Sequence, residues 1–243
     1  MRPRRRPATY ALLALLALAA AGFTALGVWQ LERLQWKRAL IARVEARLQA
    51  APQPPPGPAQ WPTVNAERDE YRRVVLSGRY LPVPDTLTQA VTDFGAGHWV
   101  LSALRDADGR VVLVNRGFVP AGTRPAPPAA GAVQVRGLLR MSEPGGGFLR
   151  ANRPAEGRWY SRDVAAIARA RGLPDAAPFF VDAEAAPGDP PWPRAGLTVV
   201  RFRNQHLQYA LTWFALAALA LWGLWRVLSE ARRLRHHAAD ADA

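Results

Sequence analysis

The chain carries four histidines, two methionines and no cysteine, and that inventory bounds the chemistry open to it. Without thiols there is no disulfide scaffold, zinc ribbon, iron–sulfur cluster or thiol-based copper site, and two methionines do not make a thioether copper site. Common enzyme signatures are missing too. The sequence has no Gly-x-Ser-x-Gly elbow, no His-Glu-x-x-His and no Gly-x-x-x-x-Gly-Lys phosphate loop. Gly95-Ala96-Gly97 opens like a dinucleotide fingerprint, but Val100 stands where the third glycine belongs. No serine has a histidine and an acid at a spacing that would make it a nucleophile. The expectation is a protein that is not an enzyme.

The histidines differ in their settings. His236 and His237 lie in a charged tail and read as solvated, while His98 falls in an expected strand beside Trp99 and reads as structural. His206 stands at the edge of an apolar run, where ionisable groups are costly and face protein or a functional site. At helical spacing it shares a face with Tyr209, Ala210, Trp213, Ala217, Ala220 and Leu224. Such a face offers an imidazole at the water boundary, then aromatics, then small residues leading into lipid. Haem fits it: the porphyrin is flat and apolar, the iron takes an axial imidazole, and the propionates would meet Arg201 and Arg203. The same residues fit a plainer reading, in which His206 caps or orients the helix and the small side chains pack. Spacing alone leaves both open.

The elements that must position these residues can be read from charge and periodicity. No charged residue stands between Arg6 and Glu32, or between Arg203 and Arg226. Each run exceeds the roughly 20 residues that cross a bilayer as a helix. The first is too long for a cleaved signal core, so an uncleaved anchor is expected, with Ala17, Ala21 and Ala25 as a small-residue face for another helix. The basic head of Arg4-Arg5-Arg6 orients both termini to the cytoplasm and exports the loop between the spans. The net charge of +13 is spread out, with no basic patch interleaved with aromatics, so no nucleic-acid partner is expected.

Seven segments follow. Residues 1–7 form a basic head, 8–28 the first span, 29–50 an amphipathic helical stalk, and 51–60 a proline-rich connector. Residues 61–203 form a β-rich domain, 204–226 the second span, and 227–243 the tail. Within the domain, strands are expected at Tyr71–Tyr80, Leu87–Phe94, His98–Leu104, Arg110–Phe118, Val133–Leu139, Phe179–Val181 and Leu197–Phe202. Asp108-Gly109 marks a hairpin. One helix is expected at Val164–Arg171, capped by Ser161 and closed by Gly172. The fold class is therefore a membrane protein with two transmembrane α-helices flanking a mainly antiparallel, barrel-like α+β domain.

Four blocks resemble the surfeit locus protein 1 family of cytochrome oxidase assembly factors. They are Gly27-Val28-Trp29-Gln30-Leu31-Glu32-Arg33-Leu34-Gln35-Trp36-Lys37, Val112-Leu113-Val114-Asn115-Arg116-Gly117-Phe118-Val119-Pro120, Trp159-Tyr160-Ser161-Arg162-Asp163 and Asn204-Gln205-His206-Leu207-Gln208-Tyr209-Ala210-Leu211-Thr212-Trp213-Phe214. They fall in the family's order and cover nearly the whole chain. The resemblance implies a bacterial inner-membrane protein with a periplasmic central domain that helps mature the catalytic subunit of haem-copper cytochrome c oxidase. It further implies a chaperone that holds haem a between haem A synthase and the oxidase. The family histidine falls on His206, and Tyr209 and Trp213 carry over from the same signature. Arg201 and Arg203 as propionate partners are inferred from their position and are not part of that signature. The alternative is a scaffold that stabilises an oxidase subunit without touching haem. One departure is the stretch Asn152-Arg153-Pro154 with Glu156-Gly157-Arg158, where relatives often show Asn-Pro-x-x-Asn. Asn115-Arg116-Gly117 fits either a packed arginine with a positive-φ glycine or a docking surface for the oxidase.

Overall fold

The structure, a computed structural model, describes residues 7–200 and 202–241, with side chains described as far as Arg233. The chain divides into two compact units. One holds the two long helices, from Pro7 to Ala42 and from Phe202 onward; the other holds residues 43–200.

In the helical unit, α1 (Pro7–Gln49) and α4 (His206–Ala241) are the partners. α1 runs unbroken through both the first span and the expected stalk, and stops before the prolines at 52–58. Its less exposed positions are Leu13, Leu16, Ala20, Phe23, Gly27, Gln30 and Leu34, alternating by three and four residues. α4 answers with His206, Ala210, Trp213, Ala217, Ala220, Leu224 and Val227. This is the heptad stripe of helices packed side by side. The contacts run in opposite order along the two chains: Leu16 against Gly223, Phe23 stacked on Trp213 at 5.7 Å, Gly27 under the ring of Phe214, and Gln30 on His206. The pair is antiparallel. Small residues lie at the seam, as expected where helices approach closely, but Ala17, Ala21 and Ala25 are not among them. They are exposed, because a seam that alternates by three and four passes instead through Ala20 and Gly27.

The second unit has a short helix, α2 (Ala66–Asp69), followed by six strands: β1 (Arg73–Tyr80), β2 (Thr86–Thr92), β3 (Gly95–Asp106), β4 (Val111–Pro120), β5 (Val133–Met141) and β6 (Ala176–Ala183). Five of them close a ring, β1-β5-β6-β4-β3 and back to β1. β3 is long enough to pair with β2 along its first half and with β1 at its end. All pairings are antiparallel except β4 with β6. β4 reads as an unbroken apolar run because both of its faces are covered. Val112 and Val114 pack with Val74, Leu76, Leu104, Leu139, Phe179 and Val181. Val111 and Leu113 pack on the opposite side with Phe180, Trp159 and the helix α3 (Val164–Ala170).

Two expectations are corrected here. The segment Leu197–Phe202 adds no strand: among its described residues none is in a ladder, and Thr198 instead donates its hydroxyl to Asp182. β6 already lies between β5 and β4, so neither of its edges is open to a further strand. Nor does Ser161 cap α3. Its hydroxyl accepts from the Gly146 N–H and the Asn152 amide, and Asp163 takes the N-cap by accepting from the Ala166 N–H.

The hairpin at Asp108-Gly109 forms as expected, with the Asp106 carboxylate accepting from the N–H groups of Asp108 and Arg110. Further along the same strand pair, a bulge sets Trp99 opposite Phe118 but Leu101 opposite Asn115. Gly117 turns that bulge with φ of +126°, and a Cβ on it would collide with the carbonyl of Arg194. That contact is itself fixed, since Phe118 and Arg194 exchange backbone hydrogen bonds of 3.0 and 2.8 Å. Gly117→Ala therefore carries both a strained φ and a clash. It is expected to destabilise the barrel by about 2–3 kcal/mol, measured as a fall in the denaturation midpoint of the detergent-solubilised protein.

Candidate functional site

His206 is the first residue of α4 and sits half-buried at the seam. Its backbone N–H is taken by the Asn204 side chain at 3.4 Å, so Asn204 tends the helix start and the His206 ring is free for other work. Ring Nδ1 meets Gln30 Oε1 at 2.7 Å. The amide oxygen can only accept, so Nδ1 carries a proton, and in the neutral imidazole Nε2 then presents its lone pair. Among the described residues Nε2 has no hydrogen-bond partner.

The other expected site residues are placed differently. Tyr209 is half-exposed beside the histidine's end of the helix, and Arg203 is exposed with no ion pair among the described residues. Trp213 lies in the seam, stacked on Phe23. Ala210, Ala217 and Ala220 are buried, so the small-residue face expected to lead into lipid is the contact with α1. Of the two readings of that face, packing is the one its alanines follow. Arg201 lies outside the described residues. Lys37, one heptad beyond Gln30, brings a further cation, its Nζ 4.9 Å above the Phe202 ring. Residue type alone flags neither Lys37 nor Gln30. The available signal for Gln30 is its place: a polar side chain on an otherwise apolar heptad stripe.

The four blocks meet two by two. The first and last join in the helical unit through Gly27 with Phe214 and Gln30 with His206. The middle two join in the barrel through Asp182, a nearly inaccessible carboxylate on β6. One Asp182 oxygen accepts from Asn115 at 2.8 Å and Arg162 at 3.2 Å; the other accepts from Arg140 at 2.7 Å and Thr198 at 2.9 Å. Arg140 continues to Glu70 at 2.6 Å, and Arg162 continues to Glu143. Both guanidinium groups lie over aromatic rings, Arg162 at 4.7 Å from Phe180 and Arg140 at 4.9 Å from Tyr71. Arg116 is likewise consumed internally, by Ser102 at 2.7 Å, the Ala126 carbonyl at 3.0 Å and Asp85 at 2.7 Å. Asn115-Arg116-Gly117 is therefore a structural device: an amide on Asp182, a partly buried, internally paired cation and a bulge glycine. The divergent loop is tied in as well, because Asn152 Oδ1 accepts from the Tyr160 and Ser161 N–H groups.

A cleft of about 660 Å³ opens in the same unit, lined by Tyr80, Arg116, Arg136, Glu184 and Pro190 among others. Burial pushes the Tyr80 hydroxyl up to about 12, so it stays protonated at neutral pH. With Arg116 already paired, the cleft offers little unspent chemistry.

The electrostatics of the Asp182 network have clear directions. Burial works to lower the Arg140 guanidinium, and Asp182 and Glu70 overcome it, holding it above its ordinary value. Burial would raise the Glu143 carboxyl, but the hydrogen bonds and charge of Arg162 outweigh that and hold it below 4.5.

Two antiparallel helices, each long and apolar enough to cross a membrane, stand before and after a closed five-strand barrel in the chain, an arrangement compatible with a membrane protein. The SURF1 family profile matches residues 17–218, and the chain belongs to that family. It is similar to Surfeit locus protein 1 of Mus musculus, at 35% identity over 84% of this chain and 71% of the mouse protein. It resembles the Homo sapiens protein of the same name at 34% identity over 79% of this chain and 69% of that one. The SURF1-like protein of Monosiga brevicollis is 37% identical over 81% of this chain and 80% of its own length.

Two outcomes follow for the barrel. Asp182→Ala takes the shared buried anion from two partly buried guanidinium groups and is expected to cost about 3 kcal/mol, read by chemical denaturation. Because Glu143 has a depressed pKa when folded, its contribution is complete above pH 4.5 and fades as pH falls through the folded value. Unfolding midpoints should therefore drop on acidification below that point, and less steeply in Glu143→Gln.

Proposed function

We propose that this chain is a membrane-anchored assembly factor for haem-copper cytochrome c oxidase, which holds haem a through His206 and passes it to the catalytic subunit. The observation that carries this reading is the state of the imidazole: Nδ1 engaged by Gln30, Nε2 without a partner among the described residues, the ring half-exposed at the end of an apolar helix. Among the described residues no group of three or more histidine and acidic side chains could cage a metal ion. A single imidazole suits a metal that brings its other ligands with it, as iron in a porphyrin does.

The alanine stripe and Trp213 are engaged in the seam, so His206 and the exposed Tyr209 are the residues of α4 that would hold the porphyrin. Arg203 and Lys37 are the cations available to its propionates, with Arg201 retained from sequence position. Release then needs no bond-making. One imidazole holds the haem, and an oxidase site with two axial ligands takes it by competition, which accords with a chain that is not an enzyme.

The supply side of this reading is haem A synthase, and the setting is a bacterial inner membrane with both termini cytoplasmic and the β-rich domain, residues 61–203, periplasmic. The burial of the alanine stripe favours a second reading, a haem-free scaffold whose paired helices hold an oxidase subunit in the bilayer.

Purification from a host that makes haem a separates the two. The first reading expects a Soret band with the wild-type protein, weakened at least about tenfold in His206→Ala. A colourless wild-type protein that still co-purifies with the oxidase subunit would establish the scaffold instead.

A further inference from the structure

We propose that Gln30 is a positioning residue for His206: it sets the tautomer and the plane of the imidazole so that Nε2 faces the iron. The inference rests on the haem-carrier reading and deepens it.

Three observations carry it. First, Gln30 is buried at a seam position whose neighbours along α1 are Leu13, Leu16, Ala20, Phe23, Gly27 and Leu34. An amide there is out of place unless it is hydrogen-bonded, and its partner is the candidate ligand itself, at 2.7 Å. Second, the sense of that bond decides the chemistry. An acceptor facing Nδ1 keeps the proton on Nδ1 and frees Nε2, whereas a donor there would put the proton on Nε2 and block ligation. Third, Gln30 lies on a different helix from His206, so the ring plane is tied to the packing of α1 on α4 and not to a flexible local turn. Metal-bound histidines regularly donate their second ring N–H to such a partner, and loss of the partner typically weakens binding 10–100-fold.

A competing account is that the bond only fixes the register of the two helices, as a lone polar residue at a heptad seam does. The two accounts predict opposite rankings for two substitutions. Gln30→Leu matches the apolar seam but removes the acceptor. Gln30→Glu keeps an acceptor, supplied as a carboxylate, at some cost to the seam.

The experiment is haem a titration of the full-length chain in detergent, with the midpoint potential of the bound haem and the thermal midpoint measured in parallel. Positioning predicts that Gln30→Leu loses 10–100-fold in haem affinity with its thermal midpoint unchanged or raised. It also predicts that Gln30→Glu still binds haem, at a more negative midpoint potential, because a carboxylate draws the Nδ1 proton harder and makes the imidazole a stronger donor. The proposal is overturned if Gln30→Leu binds like wild type, or if Gln30→Glu loses haem while Gln30→Leu keeps it. A wild-type protein that takes up no haem a removes the carrier reading and this proposal together. Tight wild-type binding that is indifferent to residue 30 removes this proposal alone.

Discussion

An imidazole at the boundary of an apolar helix needs a partner for its ring N–H, and in this chain that partner comes from the opposite helix. The Gln30–His206 hydrogen bond, at 2.7 Å, is the constraint around which the helical unit is arranged. It sits at one end of a close-packed seam, with Gly27 under the Phe214 ring and Ala20, Ala210, Ala217 and Ala220 buried along it. A larger side chain at Gly27 would meet that ring and push the helices apart. Close packing, ring orientation and an unpaired Nε2 are thus one arrangement seen at three scales.

The barrel solves a different problem by similar means. It buries Asp182 and surrounds it with Asn115, Arg140, Arg162 and Thr198, so that residues from β4, β5, β6 and the loops before α3 and α4 are fastened at one point. Replacing such a cluster with apolar groups is often neutral, while removing one member is costly. The cluster therefore acts as a keystone for this particular strand arrangement, including the parallel β4–β6 pair. Polar residues that could pass for a docking surface, Asn115 and Arg116 above all, are engaged by internal partners.

Much of this was legible in the sequence where local physics decides. The charge-free runs mark both long helices, Asp108-Gly109 marks the hairpin, and Gly172 marks the end of α3 with its positive φ. Ring closure was not legible, because it depends on β1 reaching β3 across the chain. The seam face of α1 was misread for a related reason. Ala17, Ala21 and Ala25 are equally small, and only the partner helix selects the stripe through Ala20, Gly27 and Gln30. His206 stood out by residue type and place. Gln30 and Asp182 did not, since an amide and a carboxylate acquire meaning only from the groups that meet them in three dimensions.

The central claim is that a single imidazole, held by a neighbouring amide, grips the iron of a porphyrin. The most direct measurement is the optical spectrum of the His206→Gly chain loaded with haem a, recorded before and after adding free imidazole. The account predicts a weak or shifted band that imidazole restores to the wild-type form, because the missing ligand is resupplied from solution. A His206→Gly protein with a full wild-type spectrum in the absence of imidazole would contradict it.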